Sequence, residues 1–129
     1  MSITVSWDDE ENTAIRHDYD LQWDWDEFNT AISQTVAMME GVQRRVDIIC
    51  NVLNTKIPPS SDYILHGRRA LILLNRWLGN IAVVSTSTLV FAMINAFVRI
   101  YPEWRGRFIV VKTPEEARAA LAQRREDAG

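Results

Sequence analysis

Residues 45 to 53 read RVDIICNVL. In an extended chain Val46, Ile48, Cys50 and Val52 share one side, while Ile49 and Leu53 fall on the other. A strand apolar on both sides needs cover on both sides, which is the condition of a central strand in a parallel sheet packed between helices. That requirement governs the reading of the segments before and after it.

Upstream, ITVSW at 3–7 and AIRHDY at 14–19 are short β-rich runs separated by the acidic DDEEN, and they predict an antiparallel pair. From residue 24 the period changes. Trp25, Phe28, Ile32, Val36 and Met39 recur at three- and four-residue spacing and predict a helix that Gly41 can end. Downstream, the pattern predicts helices over about 61–77, 88–101 and 114–124, with strands over 80–85 and 107–111. The resulting order, ββαβαβαβα, is an α/β architecture: a mostly parallel sheet with one antiparallel edge strand and flanking helices.

A chain of 129 residues suits one domain. We assign it to residues 1–125, with 126–129 of the closing REDAG as a disordered tail. With 47% hydrophobic and 24% charged residues the chain has the composition of an ordinary globular protein. A net charge of -3 provides no field for attracting phosphate backbones, so no nucleic-acid partner is expected. The longest apolar segment, LVFAMINAFVRIY, is interrupted by Asn95 and Arg99 and is too short to span a bilayer. The opening MSITVSWDDEE lacks the basic flank and apolar stretch of a secretion signal. Cys50, the single cysteine, is expected to be a buried strand thiol, in keeping with a cytoplasmic location.

Few segments carry chemistry. QWDWDEF gathers two indoles and three carboxylates, but its spacing fits a helix start: Asp24 caps, Glu27 completes a capping box, and Trp23 and Phe28 close a hydrophobic staple. TPEEA at 113–117 repeats the design, with Thr113 as cap, Pro114 at the first helical position and Glu116 closing the box. His17 and His66 are too few for a metal site, and His17, alternating with Ile15 and Tyr19, is expected to be partly buried and hydrogen-bonded. No glycine-rich phosphate loop or serine elbow is present, and no cofactor is expected.

The helix from Thr88 is apolar over too wide an arc. Leu89, Met93, Ala96, Phe97 and Ile100 are expected to face the sheet, leaving Phe91, Ile94 and Val98 to be covered by a neighbouring element, a second subunit or an apolar ligand; a homodimer interface is the preferred reading. Arg68, Arg69 and Arg76 mark a solvated basic face on the preceding helix, with an acidic partner as the alternative.

The succession of βα units, with a polar loop after the first central strand and the ending FIVVKTPEEARAAL, resembles the STAS fold of sulfate transporters and anti-sigma-factor antagonists over about residues 13–122. WDDEENTAIRHDYD, QWDWDEF and RGRFIVVKTPEEA are also similar to small uncharacterised bacterial proteins of that fold. The resemblance implies a regulatory protein-interaction module. In the antagonists, a partner kinase phosphorylates a serine in the loop after the third strand. Ser60 and Ser61 match that serine pair, Pro59 stands at the aspartate position and Asp62 at the glycine position.

Three roles for Ser60 and Ser61 therefore stand side by side: helix cap, phosphoacceptor and hydrolase nucleophile. A further candidate is a ligand rim at the carboxyl ends of the strands, formed by Asn54, Thr55, Ser85, Thr86, Ser87 and Lys112. The leading expectation is a non-enzymatic interaction module, homodimeric, with a protein partner at the Ser60–Ser61 loop and the helix after it. A carrier or sensor of a small apolar or anionic ligand follows, and a serine hydrolase comes third.

Overall fold

The acidic run after the first strand folds the chain back on itself. Asp9 accepts hydrogen bonds from the Thr13 amide at 2.9 Å and from the Thr13 hydroxyl, and Asn12 takes a left-handed conformation with φ 57. The turn joins β1 (Ile3–Trp7) to β2 (Ala14–Tyr19) as an antiparallel pair. The remaining elements of the computed structural model, which describes residues 2–57 and 62–128, are α1 (Trp25–Val42), β3 (Val46–Asn51), α2 (Asp62–Leu74), β4 (Leu78–Val84), α3 (Thr88–Ile100), β5 (Phe108–Val111) and α4 (Pro114–Ala128).

The strands lie in the order β1-β2-β3-β4-β5, with every pair from β2 onward parallel. Because the strands advance across the sheet in one direction, right-handed crossovers put α1, α2 and α3 on the same face. The core divides accordingly. Ile15, Ile48, Ile81 and Phe108 form a cross-strand row under those helices, and His17, Cys50 and Val83 form part of the next row. The opposite face carries Ala14, Ile49, Ala82 and Val84, covered by Ala117 and Leu121 of α4. β3 is thus covered on both sides, as the alternation in RVDIICNVL requires.

Asp24 and Thr113 cap their helices as the spacing predicts, while the return bond of the box is seen only at α4, and shifted by one residue. Asp24 accepts from the Glu27 amide at 2.8 Å, and the Trp23 and Phe28 rings lie 6.2 Å apart. Thr113 accepts from the Glu116 amide at 3.1 Å, but the Glu116 carboxylate reaches the Lys112 amide, one residue before the cap.

Two expectations need correction. α3 turns Val90, Ile94, Phe97 and Tyr101 toward the core, while Leu89 and Ile100 are 59% and 51% exposed. Both series run at helical spacing, and a helix apolar nearly all round does not choose between them by periodicity. At the other end, α4 continues through Ala128, so residues 126–128 are helical rather than a disordered tail. Arg125 there pairs with the buried carboxylate of Asp47 at the start of β3, which ties the last turn of α4 to the sheet.

Candidate functional site

The inner face of α2 presents Tyr63, Gly67, Ala70, Leu71 and Leu74 to the sheet. Two of these are small. At Gly67 an added Cβ would lie 3.4 Å from the Phe97 ring, so α2 and α3 approach closely there. Below that contact the small residues leave space over the sheet, and a cavity of about 210 Å³ occupies it.

The walls of the cavity differ. α2, α3, β4 and β5 contribute mostly aliphatic and phenyl groups, among them Leu71, Val83, Ile94 and Phe108, together with the Tyr63 phenol and the Met93 thioether. β2 and the connection to α1 contribute His17, Tyr19, Trp23 and Trp25, each an apolar ring carrying a polar atom. Cys50 lies beside His17 on the neighbouring strand and also lines the space. Among the described residues, no Lys, Arg, Asp or Glu side chain lines it.

This environment suppresses ionisation. Burial pushes the Cys50 thiol up to about 12 and, helped by the nearby Cys50, raises the Tyr19 phenol well above its usual value. A thiol held protonated is a poor nucleophile. Burial also lowers His17 to about 4, against a smaller upward pull from Asp18, so its imidazole is neutral at pH 7.

His17 is 1% exposed, and its Nε2 lies 2.7 Å from the Thr35 Oγ1. Thr35 in turn donates to the Ala31 carbonyl at 2.7 Å. The Thr35 hydroxyl thus sits between the His17 ring and the Ala31 carbonyl, within hydrogen-bond distance of both. The indole N–H groups of Trp23 and Trp25 are shielded from solvent without a partner among the described residues. Trp25 stacks on His66 at 4.7 Å with the planes 7° apart, and Trp23 meets Tyr19 edge-on at 5.2 Å.

No family model, curated protein or solved structure matches the chain.

A second depression lies beside the cavity and shares Val52, Ile57 and Val90 with it. It brings together Thr55, Ser85, Thr86 and Ser87 of the expected rim, but not Asn54 or Lys112. Its cation is instead Lys56, which the sequence reading passed over. Two of the hydroxyls are engaged in local structure: Ser85 accepts from the Ser87 amide at 3.0 Å, and Ser87 caps α3 by accepting from Val90. The exposed Lys112 uses its backbone amide in the α4 cap.

Ser60 and Ser61, with Pro59, lie outside the described residues, and so do the phosphoacceptor and hydrolase readings that rest on them. Of the expected interface residues, Phe91 is 53% exposed, Val98 is half-buried, and Ile94 turns inward to line the cavity. Arg68 and Arg69 of α2 are exposed as expected, and so is Arg76, which lies in the turn after α2 rather than on the helix; Arg68 lies 5.6 Å from the Tyr101 ring and Arg76 4.9 Å from the Trp77 ring. Among the described residues no group of His, Cys, Asp and Glu can hold a metal ion, and no helix is long and apolar enough to cross a membrane.

Sequence reasoning offered an apolar ligand as one cover for Ile94, which lines the cavity, but did not place the space. A further trace is Gly67 and Ala70 on the inner face of a helix otherwise rich in leucine and isoleucine.

Proposed function

We propose that this chain is a non-enzymatic STAS-like module that binds a small uncharged apolar ligand between α1–α3 and the sheet. The observation that carries the reading is the apolar cavity of about 210 Å³. Burying an ion there without a countercharge would be prohibitive, which favours a neutral ligand. Support for the STAS-like assignment comes from the sequential strand order with its antiparallel edge pair. The test is titration with benzene and p-xylene, followed by methyl NMR of Leu71, Val83 and Ile94. These methyls should shift in the wild type and stay still in Ala70→Leu, whose larger side chain fills the space. Unmoved wild-type methyls at saturating probe would overturn the reading.

A second reading is an interaction module working through the outer faces of α2 and α3, most simply as a homodimer. It is favoured by Leu65, Ile72 and Leu73 on α2 and by Leu89, Phe91 and Ile100 on α3, each more than half exposed. Light scattering over a concentration series tests it: a mass that doubles for the wild type and stays single for Phe91→Glu supports the interface, and a wild-type monomer throughout removes it.

A further inference from the structure

Among the described residues eight large apolar side chains are exposed, and six of them belong to two neighbouring helices: Leu65, Ile72 and Leu73 on α2, and Leu89, Phe91 and Ile100 on α3. α2 and α3 lie side by side, with Gly67 against the Phe97 ring and Arg68 over Tyr101, so their outer sides form one surface. Leu65, Arg69 and Ile72 recur at spacings of four and three and share one stripe of α2. Leu89 and Ile100, eleven residues apart, share one of α3.

The charge on this surface has one dominant sign. Between residues 62 and 100 the chain has four arginines, Arg68, Arg69, Arg76 and Arg99, and one acid, Asp62 in the first turn of α2, although the whole chain carries -3. All four arginines are exposed. α1, which packs beside α2, has the opposite character: it holds Asp26, Glu27 and Glu40 and no basic residue.

That asymmetry separates the occupants such a surface can have. A closed pair of copies sets the surface against itself, arginines against arginines, and like charges brought together across an interface oppose association. Pairing it with α1 of the next copy would match the charges, but that contact is heterologous and builds open chains unless its rotation closes a ring. An anionic bilayer suits both halves of the surface at once: the apolar side chains enter the acyl boundary while the guanidinium groups stay level with the lipid phosphates. Side chains more than half exposed also fit a fluid that closes around them without a matching groove.

We infer that the outer side of α2 and α3 docks the protein on the surface of an anionic lipid bilayer, lying on it rather than spanning it. The inference rests on this side being a docking surface, as in the second reading above, and puts lipid in the place of a second copy.

Flotation with vesicles tests it. The full chain should float with phosphatidylcholine vesicles containing about a third phosphatidylglycerol, stay behind with phosphatidylcholine alone, and be released by added salt. Arg69→Gln with Arg99→Gln leaves the ring-stacked Arg68 and Arg76 in place and should weaken binding by roughly fivefold for each arginine removed. Ile72→Ser with Ile100→Ser should weaken it too, at an unchanged urea midpoint, because both side chains lie outside the core. Equal binding to the two kinds of vesicle overturns the anionic assignment, and variants that bind like the wild type overturn the assignment of the surface. If the wild type floats with neither vesicle but doubles its mass in light scattering, a second copy covers the surface and the lipid inference alone fails. A monomer that floats with neither removes both.

Discussion

His17 Nε2 and Thr35 Oγ1 share a hydrogen bond of 2.7 Å, joining the inner face of β2 to the middle of α1. Because the ring is buried and neutral, protonating it requires either placing a charge in the core or unfolding. Its value of about 4 lies below the ordinary 6.5, so between those pH values the unfolded chain binds more protons than the folded one. Stability from this group is therefore full above pH 6.5 and is lost as pH falls through about 4, a loss of roughly 3 kcal/mol. Urea midpoints from pH 7 to pH 4 should show it. In His17→Gln, which cannot titrate, the fall should be shallower.

Thr35→Val keeps the shape of the side chain but removes the hydroxyl that pairs with His17. The variant should lose about 1–3 kcal/mol, the usual cost of leaving a buried polar group unpaired. Thr35→Ser preserves both hydrogen bonds and should lose less. Equal losses in chemical denaturation would assign the effect to packing rather than to the hydrogen bond.

Gly79 meets Asp47 where β4 begins. An added Cβ would lie 2.1 Å from the Asp47 Oδ1, and that carboxylate is held by the Asn80 amide at 2.7 Å and by Arg125. It cannot retreat without giving up those bonds. Gly79→Ala should therefore destabilise by about 1–3 kcal/mol, the range for overpacking. A midpoint equal to that of the wild type would mean the carboxylate moves freely.

Arg125 is the link between the end of α4 and the buried Asp47. Arg125→Ala should loosen that end selectively. Amide exchange should rise over residues 122–128, while the first turn, fixed by Thr113 and by Ala117 and Leu121 in the core, keeps its protection. A uniform rise across α4 would instead indicate that Arg125 anchors the whole helix.

The elements were legible where one physical demand had one solution. Alternation in RVDIICNVL admits only a strand covered on both faces, and Asp24 and Thr113 cap because their oxygens sit three residues before an amide in need of an acceptor. The rim was legible in part: Thr55, Ser85, Thr86 and Ser87 share a depression because they follow β3 and β4, whereas Lys112 follows β5 and is held by its cap. α3 misled because leucine, isoleucine, valine and phenylalanine surround it, so two faces satisfied the same rule.

What the sequence alone determined is the order and type of the elements, since these follow from the spacing of apolar residues and from caps that act over three or four positions. What only the tertiary structure decided is which side of α3 meets the sheet, where the small inner face of α2 leaves a cavity, and which hydroxyl pairs with His17. Each depends on groups far apart in the chain, His17 and Thr35 or Gly67 and Phe97, and their distances are set by packing among helices rather than by any local pattern.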